Sequence, residues 1–436
     1  MGQVLSLPFR LLNTTLTFYR GFFHYWCGAG RHQPYQREGS FAPLRETEQD
    51  DDTTKEFKQH ARIHLFSLAS NFYLYHKPHY RKSSYKIDLV DNLRNVAVPG
   101  TGVPLSLFAW NRWVGLGYLF CVYPKICGIA AVHAWWKSRG QTSLHQEYAT
   151  RLLAPDDWFS YWRLNCNVVG LHALLHDMPD DYDMENKWTF LQQGVARGVP
   201  VSPFLSSPAI VVKHRNEEGG MGIFFYKNAL EGGDWIIQER IQNSDWVSKH
   251  LPPNAPLSTF RVITCSRASI GSGEMSPKQV VALSCVFRAG RAGAATDHDS
   301  ILFDVDVQTG KIRGGTTNAH WYQLGLSALW SCPWRSSHSY ESHPDGNIPV
   351  AGSIVPNITE MLRLVEESHY KMCPRVPFAG WDVVLSVDPA LPVCLLEVNL
   401  SCNFFRGSFD KKVYLDFIDD SFADLQIRRL EADQKH

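Results

Sequence analysis

Gly380-Trp381-Asp382-Val383-Val384-Leu385, followed by Cys394-Leu395-Leu396-Glu397-Val398-Asn399, decides the fold class. Each half reads as a strand, with β-branched and aliphatic residues around isolated acids. The join, Ser386 to Pro392, carries Asp388-Pro389 and Pro392, which suit a turn. Pairing the two strands brings Asp382, Glu397 and Asn399 together. Glu397 and Asn399 are two apart, so they share a face of their strand. Two carboxylates and an amide among apolar neighbours are costly to bury unless something positive sits on them. Hard oxygen ligands of this kind suit Mg²⁺, which binds through a few carboxylates plus substrate phosphates. An edge hairpin with solvated acids fits the same residues.

Working outward, Ile210-Val211-Val212-Lys213 reads as a short strand ending in a lysine. It runs into Asn216-Glu217-Glu218-Gly219-Gly220-Met221-Gly222-Ile223. Glycines there let backbone N–H groups turn toward an anion, and the lysine offers a point charge to phosphate. A plain hairpin is the other reading. The stretch is neither G-x-x-x-x-G-K-[ST] nor G-x-G-x-x-G, so it supports no P-loop and no dinucleotide fingerprint. Trp235-Ile236-Ile237-Gln238-Glu239-Arg240-Ile241 reads as an apolar strand that turns polar, as a chain crossing between two lobes does. Its backbone and Glu239 can read an adenine edge; an ordinary strand end looks the same.

Lys187, Lys213, the glycine loop, Gln238-Glu239, Arg261 and Asp382…Glu397-x-Asn399 follow one another in an order that resembles the ATP-grasp enzymes. These include D-alanine–D-alanine ligase and the glutamate ligases. Within them the chain is similar to the sugar-transfer-associated ATP-grasp, or alpha-L-glutamate-ligase-related, proteins. Four phrases carry the likeness: Asn186-Lys187-Trp188 with Gly198-Val199-Pro200-Val201; Leu257-Ser258-Thr259-Phe260-Arg261-Val262-Ile263-Thr264; Phe287-Arg288-Ala289-Gly290-Arg291-Ala292-Gly293 with Asp297; and Gly380-Trp381-Asp382 with Leu396-Glu397-Val398-Asn399. Together they span about Ala154 to Phe422. The chain departs from the subgroup in having His298 after Asp297, and Asp299-Ser300 in place of a glycine pair. Those changes bear on the acceptor side more than on the ATP side.

The resemblance implies an α+β ATP-grasp fold, with two lobes enclosing ATP, preceded by a mainly helical N-terminal region. It implies that Lys187 and Lys213 contact phosphate and that Gly219, Gly220 and Gly222 close over it. Gln238, Glu239, Arg240 and Ile241 would line the adenine. Asp382, Glu397 and Asn399 would hold Mg²⁺. Arg261, Arg288 and Arg291 would steady the transferred phosphoryl group or a carboxylate, since arginine forks suit both. A solvated strand end is the alternative for those arginines. The implied activity joins an unidentified carboxylate to an amine through an acylphosphate. A membrane-anchored nucleotide-binding scaffold and an ATP-dependent kinase are the alternatives. His298, His320 and His338 read as ordinary surface or core histidines.

Composition agrees with a folded enzyme. The chain has 436 residues, 44% hydrophobic and 20% charged, which are globular values and suggest two or three lobes. Lys plus Arg and Asp plus Glu are both 43, so no basic excess points to nucleic acid. Ten cysteines occur without a C-x-x-C pair, which reads as reduced thiols in a cytosol-facing protein.

Met1-Gly2-Gln3-Val4-Leu5-Ser6 fits the N-myristoylation pattern, with Gly2 as acceptor. Residues 7 to 37 carry Arg10, Arg20, Arg31 and Arg37, no acid, six aromatic residues between Phe18 and Trp26, and Cys27. One acyl chain holds a protein only marginally, so such a segment, or a palmitoylated cysteine, would supply the second signal. The expectation is the cytosolic face of a membrane; a cleaved organelle transit peptide, or a plain docking helix, also fits. Segment 1–37 is thus an anchor or targeting segment and 38–58 an acidic linker, with Glu46, Glu48, Asp50, Asp51 and Asp52 read as solvated. Segment 59–153 is helical. Its apolar stretch 114–136 is long enough to span a bilayer, but Pro124-Lys125 at its centre favours two short hinged helices. The lobes then run 154–240 and 241–425, with a polar tail at 426–436.

Overall fold

The computed structural model describes residues 2–35, 39–96, 113, 128–129, 131–132, 135–136, 138–153, 164–176, 179–216, 221–271, 275–317, 340–402 and 408–435. Most of the stretch 114–136, together with 154–163, Gly219, Gly220, His320 and His338, lies outside them. Helices α1 (Gly2–Trp26), α2 (Asp52–Leu74), α3 (Tyr85–Val96), α4 (Leu144–Leu153) and α5 (Leu164–Leu175) come first. Helix α6 (Lys187–Ala196) leads to the hairpin β1 (Ala209–Lys213) and β2 (Ile223–Lys227). Then follow β3 (Thr259–Ser266), β4 (Val280–Gly290), β5 (Ser300–Val305) and β6 (Ile312–Thr317). A small hairpin, β7 (Ser342–His343) with β8 (Ile348–Pro349), precedes α7 (Ile358–Met372), β9 (Phe378–Leu385), β10 (Val393–Asn399) and α8 (Lys411–Gln434). The content is mixed helix and sheet, as an α+β fold requires.

Six strands form one antiparallel sheet in the order β10-β9-β3-β4-β5-β6. Successive side chains on a strand alternate between faces, and paired residues share one. Phe260, Phe287 and Phe303 lie in register across β3, β4 and β5, with ring centroids 4.9 Å and 6.5 Å apart. All three are fully buried. Each contributes roughly 1.5–3 kcal/mol by leaving water. Helix α7 packs against β3, β4 and β9. It buries Ile358, Met361, Leu362, Val365, His369 and Met372 at helical spacing. The opposite face carries the register row Glu397, Asp382, Arg261, Val286 and Asp304. An apolar face and a polar face on one sheet place the site before any ligand is considered.

The outer edge of β10 is covered. Ser202 N–H donates to the Leu395 carbonyl at 3.0 Å, and Leu395 N–H to the Pro200 carbonyl at 2.9 Å. The run Val199 to Phe204 therefore acts as a short parallel partner, bridging at Val201 and again at Phe204 to Gln238. Trp235 to Ile241 is not a strand. It carries isolated bridges, from Trp235 to Asn228 and from Gln238 to Phe204, because a segment crossing from the β1–β2 hairpin to β3 follows no single partner.

The last helix extends into the polar C-terminal stretch. Helix α8 continues through Gln434, so most of the polar tail 426–436 is helical. Leu425 and Gln426 are buried, and Arg428 pairs with Asp424 at 2.8 Å along the helix. Helix α8 packs on α2 and α5. Tyr35 donates to Asp419 at 2.7 Å, Arg62 bridges the same carboxylate at 2.6 Å, and Phe66 meets Phe422 at 4.8 Å. Phe417 meets Phe378 of β9 at 5.0 Å, so α8 joins the helical region to the sheet. In the acidic run at 50–52, Asp51 and Asp52 are exposed and Asp50 is half-buried. Asp51 caps α2 by accepting from Thr54 N–H at 2.8 Å, and Asp50 pairs with Lys58 at 2.7 Å. Among the described residues no helix is long and apolar enough to cross a membrane.

Candidate functional site

The polar face of the sheet gathers Glu397 and Asn399 of β10, Asp382 of β9, Arg261 of β3 and Arg288 of β4. Glu397 pairs with Asp382, and Asp382 pairs with Arg261. A bulge between Leu395 and Glu397 sets this register. Arg261 grips Asp382 with two parallel bonds, one from Nε to Oδ1 and one from Nη2 to Oδ2 at 2.9 Å. Arg288 Nη1 donates to the same Oδ2 at 3.2 Å, and its Nη2 donates to Asp297 Oδ1 at 3.0 Å. Thr259 Oγ1 donates to the other Asp297 oxygen. Thr259 and Arg261 are on one strand, so the five residues close a ring of two arginines, two aspartates and a hydroxyl.

That ring explains the protonation states. Burial pushes the Asp382 carboxyl up, but Arg261 and Arg288 outweigh it and hold the group below its ordinary value. Burial dominates at Asp297 and raises it, against Arg288 and Thr259. Burial opposes the charge on Arg261, yet Asp382 overrides it and keeps the guanidinium ionised. Arg288 is therefore no solvated strand end. The positive charge expected over Asp382 is in place as two guanidinium groups.

Glu397 and Asn399 have more freedom. Asn399 Nδ2 donates to Glu397 Oε1 at 3.3 Å, which turns the amide nitrogen toward Glu397 and leaves the carbonyl oxygen as an acceptor. Lys187, at the start of α6, bridges Glu397 Oε2 at 3.0 Å. Lys187 itself is exposed, and Glu397 is partly so. Asn186 caps α6 by accepting from Trp188 N–H at 2.9 Å, which fixes where the lysine leaves the backbone. Among the described residues no group of three or more His, Cys, Asp and Glu could hold a metal. The candidate set is two carboxylates and an amide oxygen. Such a set fits Mg²⁺, which keeps several waters and takes further oxygens from phosphates.

Gly380 sits opposite Asn399. A Cβ there would lie 2.7 Å from Cys402 Cβ, so the glycine makes room for Cys402 beside Arg261. Asp304 shares the site face, and its Oδ1 accepts from Ser408 N–H at 2.6 Å. Thr259 and Asp297 stand within the sequence phrases, yet neither reads as a site residue. The signal for Asp304 was present: one acid interrupts Ile301-Leu302-Phe303-Asp304-Val305.

Other expected residues lie elsewhere. Lys213 ends β1 on the exposed hairpin, and Gly222 begins the return with a φ of 66°, which glycine adopts without strain. Gly219 and Gly220 fall outside the described residues. Gln238 donates to Ser202, and Glu239 N–H donates to Pro203 O at 3.1 Å, so the crossing segment is tied to the run before β1. Glu239 and Arg240 are exposed, and Ile241 is half-buried.

Arg291 follows β4, and its fork closes on Asp345 at 2.7 and 2.6 Å. That pair pins the β7–β8 turn instead of facing the ring. The Arg291 hydrogen bonds hold the Asp345 carboxyl down at about 2. A depressed folded-state value gives stability that is present above the unfolded value near 4 and is lost as pH falls through about 2. Because Arg291 is about one-third exposed, screening limits the effect to roughly 1 kcal/mol. Asp345→Asn is expected to lower the melting temperature at pH 6. The gap from wild type should narrow as the pH is lowered toward 3, and a pH-independent gap would show that the ion pair does not supply it.

Residues 224–405 match the family model of sugar-transfer associated ATP-grasp proteins. The matched segment starts in β2 and passes the end of β10. It contains Gln238 to Ile241, Arg261, Arg288, Arg291, Asp382, Glu397 and Asn399, while Lys187 and Lys213 precede it. Residues 224–405 thus form an ATP-grasp domain of the sugar-transfer-associated type, which supports an ATP-dependent, ligase-like function at a coarse level. No curated protein sequence matches the chain.

Proposed function

We propose that this chain is an ATP- and Mg²⁺-dependent ligase that joins a carboxylate to an amine. The observation that carries the reading is the row Glu397–Asp382–Arg261, extended by Arg288 and faced by Lys187. In the proposed reaction an acceptor carboxylate oxygen attacks the γ-phosphorus of ATP. The bond to the β,γ-bridging oxygen breaks, and ADP leaves with that electron pair. The amine nitrogen then attacks the acyl carbon and loses a proton, and phosphate departs as its bond to that carbon breaks. Electrostatic neutralisation and alignment do most of such work.

The protein groups divide this task. Glu397, Asn399 and Asp382 are the oxygens that would hold Mg²⁺. When bound, the ion neutralises phosphate charge and fixes its orientation. Lys187 is poised to exchange Glu397 for phosphate, since its pair with that carboxylate is exposed and weakly held. Lys213 lies beside the turn that would close over the phosphates. Arg261 and Arg288 hold Asp382 rigid and place positive charge beside the reacting groups. A nucleotide-binding scaffold without ligation is the second reading. The closure of Arg291 on Asp345, which leaves one fewer arginine for an acceptor, favours it.

Mg-ATP should raise the melting temperature, because a ligand at a hundred times its Kd stabilises the folded state by about 2.7 kcal/mol. Lys213→Ala should remove most of that shift, and an unchanged ATP affinity would take Lys213 out of the phosphate site. ADP release that requires both a carboxylate and an amine pool supports the ligase. Nucleotide binding with no ADP release for any pool supports the scaffold.

A further inference from the structure

Helix α1 has two faces, and only one is used. Thr14, Phe18, Gly21 and Tyr25 recur at helical spacing and are buried. On that side Thr15 meets the Tyr148 hydroxyl at 2.7 Å, Gly21 abuts Leu44, and Tyr25 stacks on Phe41 at 4.7 Å. The other face carries Phe9, Leu12, Leu16 and Phe23, which are 73%, 56%, 44% and 56% exposed. At 3.6 residues per turn these four fall within about 60° of one another, opposite the buried stripe. Scattered exposed apolar residues are ordinary, but a continuous stripe on an otherwise docked helix is not.

The charge around the stripe selects an occupant. Arg20 flanks it, Arg10 lies on the same helix, and Arg31 follows the helix; no acidic residue occurs from 1 to 37. An apolar stripe flanked by Arg20, on a segment without acids, suits a helix lying in the interface of a bilayer with anionic lipid, with apolar side chains among the acyl chains and the guanidinium group at the headgroups. No helix among the described residues is long and apolar enough to cross a membrane, so α1 would lie along the surface. Trp113, 63% exposed, stands near the end of α1 through Phe72, at 4.8 Å from that ring, with Phe72 5.4 Å from Trp26. Tryptophan is enriched at that boundary.

We propose that the outer face of α1 docks the chain on an anionic membrane surface through Phe9, Leu12, Leu16 and Phe23, with Arg20 at the headgroups. The docking does not depend on the ligase reading, nor on acylation of Gly2, which would add a second hold. The test uses the full, unacylated chain and sedimentation with vesicles of phosphatidylcholine alone or mixed with phosphatidylserine. Wild type is expected to bind the phosphatidylserine vesicles, more weakly in high salt. Leu12→Glu with Leu16→Glu should weaken binding at least tenfold while leaving the melting temperature unchanged, since both side chains face out. Arg20→Glu should weaken binding to the anionic vesicles alone. Wild-type binding by the double variant would overturn the proposal, as would failure of the wild type to bind. Light scattering gives a further check: a dimer that the double variant dissolves would assign the stripe to a second copy of the chain and overturn it equally.

Discussion

Arg261→Ala is expected to destabilise the chain by about 3 kcal/mol and to abolish nucleotide-dependent turnover. Arg261 and Asp382 are each less than a tenth exposed, and the arginine supplies two of the bonds that hold the carboxylate. Removing one partner leaves a buried charge with less compensation, and that penalty exceeds the net worth of the pair. Arg288 still reaches Asp382 at 3.2 Å, which places the loss at the low end of the range for broken buried pairs. Two comparisons separate structure from chemistry. Arg261→Lys keeps the charge but loses the fork, so stability should recover only in part. Arg261→Met with Asp382→Leu removes both charges and fills the space. That double variant should regain most of the stability, because well-packed apolar pairs replace buried ion pairs at little or no loss. It should remain inactive. ADP formation by a stable form of that double variant would show that the pair is structural and that Asp382 belongs to no metal site.

Part of this arrangement was legible in the sequence because it is local. The paired strands around Asp382 and Glu397 follow from β-branched and aliphatic runs around isolated acids and a proline-bearing turn, and β9 and β10 form that hairpin. The partners of Asp382 were not legible. Arg261 is 121 residues away and Arg288 is 94, and only the strand order β9-β3-β4 brings them together. Arg288 lies near Asp297 in sequence, but nothing local shows that both are buried. Arg291 fits the pattern of a site residue equally well, and its partner Asp345 stands on a separate hairpin. The reach of helix α8 was hidden for a similar reason. Its last turns are polar by composition, and Gln426 is buried where it donates to the Arg31 and Gln33 carbonyls at 3.2 Å. The aromatic, acid-free start of the chain was plain to read. Which of its side chains face outward depends on the packing of α2, α4 and Leu44 against the other side of α1.

Glu397→Gln and Asn399→Ala are each expected to lower Mg²⁺-dependent turnover by about 10²–10³-fold with little change in fold. Glu397 is partly exposed, and its partners are Lys187 and Asn399 at 3.0 and 3.3 Å, so neither change strands a deeply buried charge. The glutamine keeps the shape and removes the charge. Lys187 then loses its resting partner, and affinity for nucleotide without Mg²⁺ should hold or rise, because the lysine is free for phosphate. Asn399→Ala removes a neutral oxygen ligand and also the amide that orients Glu397, so it should raise the Mg²⁺ concentration needed for half-maximal rate. The two variants thus separate charge from position. If the three residues hold one ion, the double variant should be little worse than Glu397→Gln alone, since groups acting as a unit are not additive. Full turnover by Asn399→Ala at low Mg²⁺ would break the ligand set, and multiplicative losses in the double variant would place the two residues in separate tasks.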